Sequence, residues 1–139
     1  MRRSRSDRVS EAVGAAVERG GGRYTHLPCD LAHQGTVIFS GATAGLRGGA
    51  NFLAFASAKF ARRGLAQALA REFGPNGVHV APVVIDGLVE GPKTDLRFGP
   101  APAGRIEAKS VAQAYLDLAA QNPSAWTQEM DLRPFAEKF

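Results

Sequence analysis

From Gly35 to Ile85 the chain reads strand, glycine-rich loop, long helix, strand, and few folds accept that order at that spacing. Gly35-Thr-Val-Ile-Phe39 has a β-branched centre and a glycine-rich exit. Asn51 to Phe73 then sets Leu53, Ala56, Phe60, Leu65, Leu69 and Phe73 close to helical intervals, which gives one apolar face to bury. Gly74-Pro75-Asn76-Gly77 ends that helix, and Val78 to Ile85 is an apolar run of strand length. A helix between two such strands is a crossover, so the strands should lie parallel and adjacent with a right-handed connection. Pro82 cannot donate to a ladder, which places it at a sheet edge or a local break.

The flanks are read the same way. Asp7 to Arg19 forms a helix with Asp7 as N-cap, stopped by Gly20-Gly21-Gly22, and Tyr24 to Pro28 is a short strand. Asp86 to Arg105 turns to glycine and proline and reads as a loop over the sheet edge. Ser110-Val-Ala-Gln113 has the pattern of a capping box opening a helix that Asn122-Pro123 stops, and Trp126 to Leu132 alternates like a last strand. Strands alternating with helices imply an α/β, Rossmann-like three-layer domain with a mostly parallel sheet. At 139 residues it is read as one domain, 1–139, with a basic tail over 1–6.

Charge narrows the function classes. The formal net charge is +4, and Arg2, Arg3, Arg5 and Arg8 against Asp7 supply +3 of it, so the body is nearly neutral. A basic tail without interleaved aromatics is a solvated tail before it is a nucleic-acid site. Cys29 is the single cysteine, which excludes an internal disulfide and suits a reducing compartment, and the cytoplasm is the expected location. His26, His33 and His79 have no partner at ligand spacing, so no metal site is expected. No apolar run approaches membrane-spanning length.

Chemistry concentrates in Phe55-Ala56-Ser57-Ala58-Lys59, where residues four apart share a helix face. With the strand, the small-residue loop Ser40 to Gly49 and the long helix, this segment resembles the short-chain dehydrogenase/reductase family, whose Tyr-x-x-x-Lys pair stands at 55 and 59. The resemblance runs from Gly35 to Phe139. It implies an NAD(P)-dependent oxidoreductase acting on a small carbonyl or alcohol. In the family the tyrosine moves the substrate proton, the lysine holds the nicotinamide ribose and lowers the tyrosine pKa, and a serine steadies the substrate oxygen. Lys59 matches, Phe55 occupies the tyrosine position, and the serine position falls on Ala42, with Thr43 and Ser40 flanking it. Asp86-Gly87-Leu88-Val89 stands where the family has Pro-Gly followed by a contact to the nicotinamide carboxamide, which points to Gly87 and Val89. Leu27-Pro-Cys-Asp30-Leu31 resembles the strand whose aspartate meets the adenine amine.

The departures are as informative. No Gly-x-x-x-Gly-x-Gly turn precedes the first strand, and Asp30 to Gly35 leaves no room for the family's middle strand and Asn-Asn-Ala-Gly segment. The expectation is a truncated member with weak or absent turnover alone and poor cofactor affinity. Its rivals are a non-catalytic binding or dimerisation module on the same scaffold and a basic-tailed nucleic-acid binder. Ser40-Gly-Ala-Thr-Ala-Gly45-Leu-Arg47 also mimics a phosphate turn, with Arg47 in place of its last glycine. The family pairs the long helix with its mate in another subunit, which implies a homo-oligomer.

Overall fold

A computed structural model describes residues 35–99 and 104–136. Strands β1 (Gly35–Ser40), β2 (Val78–Ile85) and β3 (Met130–Leu132) form one open sheet in the order β1-β2-β3. Both pairings are parallel: Gly35 lies opposite Val78 and Ser40 opposite Val83, while Val83 to Ile85 face Met130 to Leu132. Helix α1 (Leu53–Phe73) is the crossover from β1 to β2. The adjacent parallel strands joined by the long helix are therefore as the sequence predicts.

Side-chain alternation along the strands makes the layers. Phe39, Val78 and Val80 pack with Ala66, Leu69 and Ala70 of α1 on one face. Ala81 and Val83 pack on the other face with Leu118, which belongs to helix α3 (Ala108–Ala119). The central strand is covered on both sides, which is why Val78 to Ile85 is apolar without alternation. The result is a parallel sheet flanked by helices, the Rossmann-like three-layer arrangement.

Several boundaries differ from the sequence reading, each for a local reason. Pro82 lies within the middle strand, not at an edge or break. The carbonyl of Val83 accepts from the amide of Gly41 at 2.6 Å, so Val83 directs its polar groups to β1 and Pro82, one residue earlier, faces the β3 side. Pairing with β3 starts only at Val83, and the missing N–H falls where no ladder runs. The helix α1 starts at Leu53 because Asn51 sits at φ 67°. At its far end, Gly77 at φ 83° turns the chain into β2.

The segment Asp86 to Arg105 holds a short helix, α2 (Pro92–Phe98), with Pro92 in its first turn and Gly99 at φ 82° after it. Val89 and Ile106 form a parallel bridge at its base, with Ile106 N–H bonded to Leu88 O and Glu90 N–H to Ile106 O, both at 2.9 Å. Helix α3 starts at Ala108 with Glu107 at the N-cap, so Ser110 is inside the first turn and its hydroxyl lies 3.4 Å from Glu107 Oε2. Trp126 to Glu129 is not strand. Trp126 stacks on the buried His79 ring at 4.8 Å, and Thr127 O accepts from His79 Nε2 at 2.9 Å while Thr127 N–H bonds Gln121 Oε1 at 2.7 Å. The backbone of Thr127 is committed to side chains, so no ladder starts before Met130.

Among the described residues no helix is long and apolar enough to cross a membrane. The helix Asp7–Arg19, the strand Tyr24–Pro28, the basic tail and Asp30 lie outside the described residues.

Candidate active site at the carboxyl edge of the sheet

Parallel strands end at one edge, and in open α/β sheets that edge is where ligands bind. Here β1, β2 and β3 are each followed closely by a polar residue: Thr43, Asp86 and Arg133. Gly41 opens the first loop at its 2.6 Å bond to Val83 O, and an added Cβ would stand 3.1 Å from that oxygen. The chain then makes a 3-10 turn, Thr43–Gly45. Since α1 does not begin until Leu53, this loop is not the strand-turn-helix that a phosphate turn requires.

Asp86 is 7% exposed. The Thr43 hydroxyl donates to its Oδ1, and Arg133 approaches its Oδ2 at 3.3 Å and Asp131 at 3.5 Å. Asp86 N–H bonds Leu132 O at 2.8 Å. A buried carboxylate needs such partners, and these three draw together the ends of all three strands. In the sequence Asp86 stands out as a replaced proline and as the acidic residue after the second strand, not as the partner of Thr43 and Arg133. A carboxylate and a guanidinium each placed directly after a strand of one parallel sheet would have been the signal. Next to it, Gly87 sits at φ 153° with Pro134 Cδ 2.9 Å from where a Cβ would be.

Helix α1 supplies the other wall. Lys59 Nζ lies 5.4 Å from the centroid of the Phe55 ring, and Phe52 meets that ring edge-on at 6.5 Å. The 3-10 turn rests on this helix, since a Cβ on Gly45 would be 3.3 Å from Lys59 O. Gly41, Ala42, Gly45, Lys59 and Arg62 consequently line one narrow crevice. Burial, and then the neighbouring Arg62 guanidinium, hold the Lys59 ammonium pKa below its ordinary value.

The structure thus brings Phe55 and Lys59 together on one helix face and sets the loop of Ala42 beside Lys59. Thr43 is drawn to Asp86. Ser40 points to the opposite face, where its Oγ is 2.6 Å from the Tyr115 hydroxyl of α3, so it does not fill the Ala42 slot. Gly87 stands at the end of β2, and Val89 lies farther out at the bridge with Ile106.

Residues 23–95 match the short chain dehydrogenase family. The chain belongs to that family. It is similar to a short-chain dehydrogenase from Rhodopseudomonas palustris, with 39% identity and a TM-score of 0.60 over 93% of this chain and 53% of that one. A short chain oxidoreductase from Pseudomonas aeruginosa PAO1, solved with NADPH and having an atypical catalytic center, shares the fold at 18% identity and a TM-score of 0.63, over 78% of this chain and 49% of that one. Protein MoaE of Klebsiella aerogenes is 34% identical over 89 residues, 64% of this chain and 34% of that protein. The chain therefore spans about half the length of these dehydrogenase structures and about a third of that curated relative.

Proposed function

We propose that this chain is an NAD(P)-dependent oxidoreductase of the short-chain dehydrogenase type for a small carbonyl or alcohol, and that alone it is weakly active or inactive because the acid is missing. The observation that carries the reading is the phenyl ring of Phe55 under the Lys59 ammonium, where the family has a phenol. The cofactor would supply or accept the hydride. Lys59 fits a ribose hydroxyl: it is partly buried, and among the described residues it has no carboxylate partner. Val89 fits a carboxamide, since its own amide and carbonyl lie on the side of the strand away from Ile106. Asp30 would meet the adenine. No side chain at 42 or 55 can move a proton, and losing a general acid costs about 10²- to 10⁴-fold in rate.

The second reading, a binding or dimerisation module, draws on a different observation. Phe52 at the N-cap of α1 and Leu53 and Phe60 on the helix are exposed, an apolar surface that a second copy of the chain would cover. The two readings separate in one experiment. Calorimetric titration first measures NADPH binding to the parent and to the Phe55→Tyr/Ala42→Ser double variant. With cofactor bound, the variant should consume NADPH with a carbonyl substrate about 10² or more faster than the parent. Intact binding with no gain in rate replaces the enzyme reading by the module, and light scattering should then return a dimer or larger. No cofactor binding to either protein removes the oxidoreductase reading.

A further inference from the structure

The short helix α2 buries none of its side chains: Leu96 is 90% exposed, and the Arg97 guanidinium lies over the exposed Phe98 ring at 5.4 Å. The backbone N–H bonds of Thr94, Asp95 and Gly99 stay inside the segment Gly91–Gly99. Among the described residues, the hydrogen bonds that leave this segment run to one side chain, Arg105, whose Nη1 donates to Asp95 and whose Nη2 donates to Gly99 O at 2.6 Å. A helix without a buried face has no packing to keep it in place, so this guanidinium decides where α2 sits. The two partners are unequally anchored. The Arg105 side chain is 6% exposed against 50% for Asp95. The residue after it, Ile106, is buried, bridges Val89 and donates its N–H to Leu88 O. Arg105 Nε is buried without a partner, so among the described residues Asp95 and Gly99 are what compensates the burial of this cation. At the ends of α2, Gly91 at φ 154° and Gly99 at φ 82° have nothing within 4 Å of where a Cβ would stand. Both hold left-handed backbone in open space, which suits them to swivel rather than to pack.

We propose that Asp95 and Arg105 form a latch, in which Arg105 is the fixed post and Gly91–Gly99 is a strap that swings out about its two glycines when the pair parts. A detached helix of 7 residues does not hold itself together, so the open strap is also unwound. The chain leaves β2 at Gly87 and returns to the same place at Ile106, whose Cδ1 is 3.3 Å from where a Gly87 Cβ would be. The position of the strap therefore governs access to the carboxyl edge of the sheet. The latch needs no cofactor and stands independently of the oxidoreductase reading.

Lys93 and Arg97 lie within α2, so trypsin acting on the full chain reads the open strap. Cleavage at these two residues, followed by mass spectrometry, should be about tenfold faster in Asp95→Asn and in Arg105→Gln, as expected for the loss of one charge-assisted hydrogen bond. The double variant should be cut no faster than either single one, because both remove the same contact. Asp95→Glu keeps the carboxylate and should stay within about threefold of the parent. Amide exchange separates an opened strap from general unfolding: the Gly99 N–H, bonded to Asp95 O at 2.9 Å, should exchange about tenfold faster in Asp95→Asn, while the Ile106 N–H keeps its parental rate. A single variant cut within about twofold of the parent would overturn the latch, as would effects that add in the double variant or an Asp95→Glu protein as labile as Asp95→Asn. So would a parent cut as fast as a synthetic peptide of residues 88–99, or Ile106 exchange that quickens together with that of Gly99.

Discussion

Thr43→Val removes one hydroxyl from the carboxyl edge and keeps the side-chain shape. Its donor goes to Oδ1 of Asp86, a residue 7% exposed, while Arg133 serves Oδ2. A hydrogen bond to a charged group contributes about 1.5–3 kcal/mol, and a buried acceptor left bare loses most of that. With Arg133 still in place, the loss should be about 2 kcal/mol, a large share of the roughly 5–15 kcal/mol that holds a domain together. Urea unfolding followed by circular dichroism and by Trp126 emission gives the difference from the shift in midpoint. Thr43→Ser, which keeps the hydroxyl, should recover more than half. The turn itself should loosen: amide exchange at Gly45 and Leu46, which bond Ala42 O and Thr43 O at 2.8 Å, should quicken in Thr43→Val. A Thr43→Val protein within about 0.5 kcal/mol of the parent would refute the argument, as would a serine variant no better than the valine one.

Three other substitutions probe the remaining supports. Gly87→Ala forces a Cβ to 2.9 Å from Pro134 at φ 153° and should cost about 2 kcal/mol or more, whereas Gly48→Ala, with nothing within 4 Å of its Cβ, should be nearly neutral in the same unfolding assay. Leu118→Ala empties the contact of α3 with Ala81 and Val83 and should cost about 2–5 kcal/mol by the same measurement. Lys59→Met tests the lowered pKa through pH. Burial and Arg62 disfavour the folded ammonium, so the unfolded chain holds the proton more tightly, and the penalty is full below the lowered value and relieved as pH rises toward 10.5. The stability advantage of Lys59→Met at neutral pH should therefore shrink in melts at alkaline pH, and an advantage that grows with pH would contradict it.

What the sequence disclosed follows from range. The strands Gly35–Ser40 and Val78–Ile85 and the helix between them were legible because burial writes periodicity into adjacent residues. The pairing of Phe55 with Lys59 was legible for the same reason, being one turn of one helix. Pro82 was misjudged because its harmlessness depends on register: whether its missing N–H faces β1 or the unpaired stretch before β3 is set by partners far away in the chain. Within Trp126 to Leu132 the last strand is present at Met130–Leu132, and Trp126 to Glu129 departs from it because alternation has two causes. A strand produces it, and so does a chain whose tryptophan lies on His79 while its neighbour bonds Gln121.

The carboxyl edge combines both limits. Phe55 in the tyrosine position and Ala42 in the serine position are visible in the sequence, yet they say only what the site lacks. What it has instead depends on contacts between strand ends: Thr43 to Asp86 and Asp86 to Arg133. The family's proline at position 86 could not accept Thr43's hydroxyl or pair with Arg133. The aspartate does both, and in doing so it holds the loop that carries Ala42 against the backbone of Lys59. On the proposed reading the site lacks a side chain at 42 or 55 that could move a proton, while the contacts of Thr43, Asp86 and Arg133 fix the loop beside the lysine. On this reasoning, restoring Tyr at 55 without disturbing Thr43 or Asp86 is the substitution that should separate a chain that has lost one group from a chain that no longer performs the reaction.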